Sequence, residues 1–331
     1  MRRRQTSSAR VEGDMLRYIA RRLLELIPTT VGIVLLTFVL FHVVGGSPAE
    51  VVLGKNATKE SIAAFNKKYG YDKPLIVNTR PGERFFDSQF FNFAANLAKG
   101  DFGVSTEYDE PVADVLKRGV GPSLTLTVPI LVGGTLLALS LALVCAAFRG
   151  GFWDRATLVA STILMSVNYV VWVLAGQFIL AYKCGLFPIW GYESAFYLVL
   201  PVLIGIFSSL GTDVRFFRTA VLDEIYKPYV RTAEAKGLSR TRILVRHVLR
   251  NALIPVVTYV ALAIPYLFTG SLLLESFFGI PGLGNVSINA IHSSDMAVVR
   301  AVVVLGALLY QFVNLLTDLA YAALDPRVRL G

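Results

Sequence analysis

Six stretches of this chain are apolar over lengths that can cross a bilayer, and they constrain its fold more than any motif does. They cover residues 23–44, 123–148, 156–182, 195–210, 252–274 and 301–324, allowing a few residues at each boundary. Roughly 20 apolar residues are enough for a helix to span. An unpaired backbone amide in hydrocarbon costs several kcal/mol, so each segment is expected to be helical and the protein all-α. Pro28, Pro129, Pro201, Pro255 and Pro265 fall in or near these segments. Proline is tolerated there when neighbouring helices satisfy the carbonyls it frees, which predicts kinks in a packed bundle. Composition agrees, with 17% of residues charged against about 25% in soluble domains.

Charge placement sets the expected orientation. The net charge of +9 would suggest nucleic acid if the basic residues formed a stripe on a soluble domain. They lie instead between apolar runs, so membrane topology explains them and lipid is the expected neighbour. With the N-terminus inside, segments 1–22, 149–155, 211–251 and 325–331 carry 20 of the 32 Lys and Arg residues. The short outer loops 183–194 and 275–300 hold only Lys183 and Arg300, and the long outer loop 45–122 balances ten basic against ten acidic residues. Short loops decide orientation, which places both termini in the cytoplasm. The Arg-rich start and the run at 23–44 lack an obvious cleavage site, so that run is expected to be an uncleaved first span.

Two segments outside the spans stand out. Residues 45–122 are too long for a simple connection, and Phe85, Phe86, Phe90, Phe91 and Phe93 argue against disorder. They are expected to form a small helical cap on the outer face. The second segment is 211–251. Within it Ala233, Glu234, Ala235 and Lys236 favour helix, and Gly237 can take the left-handed conformation that ends one. Leu238 follows, then Ser239 can cap a second helix carrying Ile243, Leu244 and Val248 along one face. A helix pair joined by a tight turn passes on a push that a floppy loop would absorb.

The run from Tyr229 to Pro255 resembles the EAA-type coupling loop of ABC importer permeases, in the version of the dipeptide/oligopeptide/nickel family. The resemblance extends along nearly the whole chain. Arg21-Arg22-Leu23-Leu24 with Ile27-Pro28-Thr29 resembles the family's first-span signature, and Gly46-Ser47-Pro48 its Gly-Asp-Pro turn. Gly70-Tyr71-Asp72-Lys73-Pro74 and Gly100-Asp101-Phe102-Gly103-Val104-Ser105 are similar to its outer-loop markers. Gly185-Leu186-Phe187-Pro188, Gly279-Ile280-Pro281-Gly282-Leu283-Gly284 and Leu324-Asp325-Pro326-Arg327 complete the series. Arg231 and Thr232 replace the leading Glu-Ala of the general pattern and the proline falls late, at Pro255, as in the peptide branch. Asn168 stands where a proline is expected in the third span, which leaves that kink open.

The resemblance implies a six-helix, type I importer permease fold, with a core over 123–331, in a bacterial or archaeal cytoplasmic membrane. It implies import of dipeptides or oligopeptides with a second related permease, two ATPases and an extracytoplasmic binding protein, and it makes Ala233–Leu238 the ATPase-coupling residues of this chain. Nickel chelates or other peptide-like solutes are the alternative cargo, and a proton-coupled secondary transporter is the rival class. The chain lacks a Gly-x4-Gly-Lys-Ser/Thr run, so ATP and Mg²⁺ are expected on the partner ATPases and this chain is not itself an enzyme. His42, His247 and His292 show no metal-ligand spacing.

Polar residues inside spans are candidates for a translocation path or for interhelical hydrogen bonds. Asn168, Gln177, Gln311, Asn314 and Asp318 qualify, and Glu275 could meet a peptide amino group at the end of the fifth span. Gly279, Pro281, Gly282 and Gly284 suggest either a re-entrant outer gate or a plain surface turn. Arg240, Arg242, Arg246 and Arg250 read as anchors at the lipid headgroups. The orientation has a direct check. In a background with Cys145 and Cys184 replaced, Ser61→Cys should react with an impermeant thiol reagent from outside, and Ser239→Cys only from inside; labelling of both from one face would reverse the reading.

Overall fold

The computed structural model describes residues 21–41, 49, 53, 57–69, 71–78, 84–269 and 271–324. The expected cytoplasmic segment up to residue 20, the end of the first span at 42–44, Gly46-Ser47-Pro48, Gly70, residues 325–331 and the side chain of Asp318 lie outside the described residues. Among those described, the regular elements are helices, with one isolated bridge between Val104 and Pro111.

In chain order they are α1 (Arg21–Phe41), α2 (Lys59–Tyr69), α3 (Gln89–Ala98), α4 (Val112–Ala147), α5 (Phe152–Ser166), α6 (Tyr169–Lys183) and α7 (Ala195–Ile225). After them come α8 (Pro228–Ala235) and α9, which runs from Arg240–Ile243 through a π-helical turn at Leu244–Val248 into Leu249–Thr269. The last three are α10 (Leu272–Phe278), α11 (Leu283–His292) and α12 (Met296–Leu324). Five of these, α1, α4, α7, α9 and α12, are long and apolar enough to cross a membrane. The α5–α6 pair, bent by 91°, supplies the sixth crossing if taken as one span.

The helices outrun the apolar segments. The expected boundary between cap and core, at 122/123, falls inside α4, which begins at Val112. Asp114, Lys117 and Arg118 hide this turn from a hydropathy reading, yet Val112, Val115 and Leu116 are buried. Helix α7 continues to Ile225 rather than stopping at 210, and the first charged residues beyond that point have partners. Asp213 accepts a hydrogen bond from the Tyr259 hydroxyl at 2.7 Å, and Arg218 forks onto Asp154. The fifth segment, expected to be continuous over 252–274, ends as α9 at Thr269 and resumes as α10.

The third segment was expected as one span over 156–182, and the structure breaks it. Val167 is extended (φ −92°, ψ 127°), and Asn168 caps α6 by accepting from the Val170 amide at 2.9 Å. The bend needs no proline, since a capping side chain satisfies an amide that the break leaves orphaned.

Two compact units divide the chain, one formed by residues 1–118 with 286–331 and the other by 119–285. In the first, Gln311 of α12 donates to the Leu26 carbonyl at 3.1 Å and to the Thr29 hydroxyl, and accepts from Thr30 at 3.2 Å. Phe38 of α1 packs on Phe90 and Phe93 of α3 at centroid distances of 5.5 and 5.9 Å. The loop between α3 and α4 is pinned by Asp295, fully buried at the head of α12. Its carboxylate accepts from the Ser105 hydroxyl, the Glu107 amide and the Val298 amide.

In the second unit α5 lies against α7. A Cβ on Gly211 would come within 2.6 Å of the Ser161 carbonyl oxygen, the close approach that small residues permit between spans. Beside it the Arg218 guanidinium grips Asp154 at 2.7 and 2.9 Å, and the same carboxylate accepts from the Gly150 amide at 2.9 Å. The Asp154 side chain is 4% exposed, so removing its partner strands a buried charge, at a cost of about 3 kcal/mol. Arg218→Leu should therefore lower the unfolding temperature of the purified protein clearly. Asp154→Leu combined with Arg218→Leu should recover most of that loss. Equal losses in the single and double variants would show that the pairing contributes nothing.

Candidate functional site

Between α7 and α9 the chain builds a short helical projection on the second unit. Pro228 opens α8 at its first helical position, where its missing amide is no loss. The Tyr229 hydroxyl donates to Glu224 at 2.7 Å, tying α8 to the end of α7. Burial pushes the Tyr229 phenol up, and the bond to Glu224 acts in the same direction, so it stays a neutral donor.

The end of α8 is built from backbone. Gly237 has φ +76°; its amide donates to the Glu234 carbonyl at 2.9 Å, and the Leu238 amide reaches back to the Ala233 carbonyl at 3.3 Å. This paired arrangement is a Schellman stop. Leu238 packs on the same apolar cluster that buries Ala233, the hydrophobic contact that accompanies such a stop. Ser239 takes the N-cap position of α9, as its type suggests, but its side chain makes no cap hydrogen bond.

The face of this helix pair is sorted by chemistry. Val230, Ala233, Ile243, Leu244 and Val248 are buried in a cluster with Ala142 and Ala146 of α4 and with Phe217 and Val221 of α7. Arg231, Thr232, Glu234, Ala235, Lys236 and Gly237 are exposed. Arg240, Arg242, Arg246 and Arg250 are exposed too, away from the buried stripe. The result is a polar ridge fixed to the spans through an apolar floor. A Cβ on Gly237 would meet nothing within 4 Å, so only its backbone conformation demands glycine.

The structure brings together several of the other candidates. Gln177 donates to the Ile189 and Phe277 carbonyls, each at 2.9 Å, and so ties the middle of α6 to α10. Glu275, the candidate to meet a peptide amino group, is fully buried and turned into the segment that contains Gly279, Pro281, Gly282 and Gly284. It accepts from Ser123, Ser271, Gly284 and Asn285, which leaves its oxygens engaged. Asn168 is occupied as the α6 cap. Gln311 and the half-buried Asn314 belong to α12 in the other unit, where Gln311 bonds to α1. Sequence reasoning missed Ser123 and Asp295. An Asp just before an apolar run is a recognisable cap signal, whereas nothing local marked Ser123. Among the described residues no group of three His, Cys, Asp or Glu could hold a metal ion.

The chain matches two family models: the binding-protein-dependent transport system inner membrane component over residues 116–330, and the N-terminal segment of such membrane components over 15–127. Similar curated proteins include the glutathione transport system permease protein GsiC of Shigella flexneri serotype 5b (strain 8401). It is 32% identical over 319 residues, covering 95% of this chain and 99% of that protein. GsiC of Escherichia coli (strain K12) and of Salmonella typhi are also 32% identical, with the same shares covered.

Proposed function

Because the chain belongs to the binding-protein-dependent transport system inner membrane component family, as a permease of the peptide/oligopeptide/nickel type, we propose that it imports a small peptide and takes its drive through the α8 ridge. As a permease subunit of an ABC importer it acts with a partner permease, ATPases and a binding protein. The finer reading concerns cargo and coupling. Glutathione, named for the relatives, is itself a small peptide, which supports a peptide or peptide-like solute here. Nickel chelates are the second reading. The rival of a proton-coupled secondary transporter gives way to family membership.

The observation that carries the coupling proposal is the Schellman-stopped helix Pro228–Ala235, charged outside and seated on an apolar floor shared with three spans. A partner ATPase that grips Arg231, Glu234, Ala235 and Lys236 moves those spans, since packed interiors transmit strain instead of absorbing it. ATP and Mg²⁺ belong to the partner ATPases in this reading. The N-terminus, the C-terminus and the ridge face the cytoplasm, and the region of α2 and α3 meets the delivering protein.

Gly237→Val tests the coupling. A β-branched residue resists the left-handed backbone there, at about 1 kcal/mol or more, with no steric clash to confuse the reading. The variant should insert at normal levels, while uptake and substrate-stimulated ATP hydrolysis in reconstituted vesicles fall several-fold. Glu234→Arg should weaken co-purification of the ATPases. Normal transport by Gly237→Val would remove the ridge from the coupling path.

A further inference from the structure

Glu275 has an environment that neither a translocation path nor a coupling ridge explains. It is fully buried, and its carboxylate is held by a hydroxyl and three amides. One oxygen, Oε1, accepts from Ser123 Oγ at 2.8 Å and the Ser271 amide at 3.0 Å. The other, Oε2, accepts from the Gly284 amide at 2.6 Å and the Asn285 amide at 3.1 Å. Gly284 and Asn285 lie in the first turn of α11, where unpaired amides favour a negative charge. Ser123 also accepts from the Leu283 amide at 2.8 Å, so one hydroxyl joins α4, the carboxylate and the turn.

Donor counting narrows the chemistry. Each oxygen faces at least one backbone amide, so a group that can accept on both sides fits, as a carboxyl group does. A glutamine, however rotated, would point a hydrogen at an amide already there. The glycines serve the same closure. A Cβ on Gly282 would lie 2.4 Å from Glu275 Oε2 and 2.5 Å from Ser123 Oγ, and one on Gly284 would lie 2.8 Å from the Leu272 amide nitrogen. On the far side the Trp190 ring occupies the space above Gly279, where a Cβ would come within 2.1 Å. The Gly191 amide donates to the Phe278 carbonyl at 2.8 Å. These glycines permit close approach; they are not points of slack.

We propose that Glu275 is a positioning residue for transport: its carboxyl group locks residues 279–284 to α4 through Ser123, so that turn and helix travel as one body and the turn does not open on its own. The inference rests on the importer reading only for the cycle in which the lock is tested. Hydrogen–deuterium exchange of the full complex in lipid nanodiscs, without nucleotide and with a non-hydrolysable ATP analogue, reads it directly. Peptides covering 279–290 should be protected in both states, with less than a two-fold difference between them. Glu275→Gln should speed their exchange at least ten-fold and lower the uptake per ATP hydrolysed. Glu275→Asp, which keeps a carboxyl group that can accept on both oxygens, should restore part of both. Ser123→Ala should loosen the turn while leaving the Oε2 contacts in place, which guards against a Gln variant that fails to assemble.

A parent turn that loses protection in one nucleotide state would make it a hinge and overturn the proposal. So would a Glu275→Gln complex exchanging like the parent. Protection is measured without any cargo, so the importer reading fails separately: a protected turn in a complex that moves no peptide would leave the lock standing and sink the peptide assignment.

Discussion

A continuous helix settles its own hydrogen bonds, and in a bilayer that is the condition every other feature of this chain has to meet. The informative places are those where the helix stops. Between α5 and α6 the Asn168 side chain takes an amide that the 91° bend would orphan. Between α10 and α11 the load is shared: the Ile280 amide returns to the Glu275 carbonyl at 2.9 Å, and the Leu283 amide finds Ser123. Among the described residues no buried side-chain nitrogen or oxygen lacks a partner. The second break also ties elements together, because the hydroxyl that takes the Leu283 amide comes from α4, 160 residues earlier.

The same economy shapes the ridge. Ala138, Ala142 and Ala146 give α4 a small-residue face in the cluster that also buries Val230 and Ala233. Small residues let helices approach closely, and close packing leaves little room for α8 to move alone. Arg149, stacked 4.8 Å over the Tyr226 ring, adds a polar contact at the end of α7. The charged side chains of the ridge remain in water, where they cost nothing to expose and stay open to a partner.

Much of this was legible in the sequence, because hydropathy and the helix stop are local signals. Six apolar runs match the five long helices and the bent α5–α6 pair, and the order Ala-Glu-Ala-Lys-Gly-Leu pointed to the stop at Gly237, found with φ +76°. What escaped detection depends on partners far away in the chain. Charge made Asp213 and Arg218 look like the end of a span, yet Tyr259 and Asp154 carry them within the helix. Glu275 looked available for the opposite reason: its partner Ser123 lies 152 residues earlier, and Ser123 resembles any other polar residue at the edge of an apolar run. Asn168 misled through its type, since a capping side chain can break a helix as firmly as a proline.

The buried pair of Ser105 and Asp295 has a consequence for how the protein is made. Its two members are separated by 190 residues, and a ribosome adding about 5–20 residues per second needs roughly 10 to 40 s to go from one to the other. During that interval the loop after α3 is already synthesised but lacks the carboxylate that holds it. The first unit can therefore close only after the head of α12 has emerged, and a chain that ends prematurely leaves the loop unfastened.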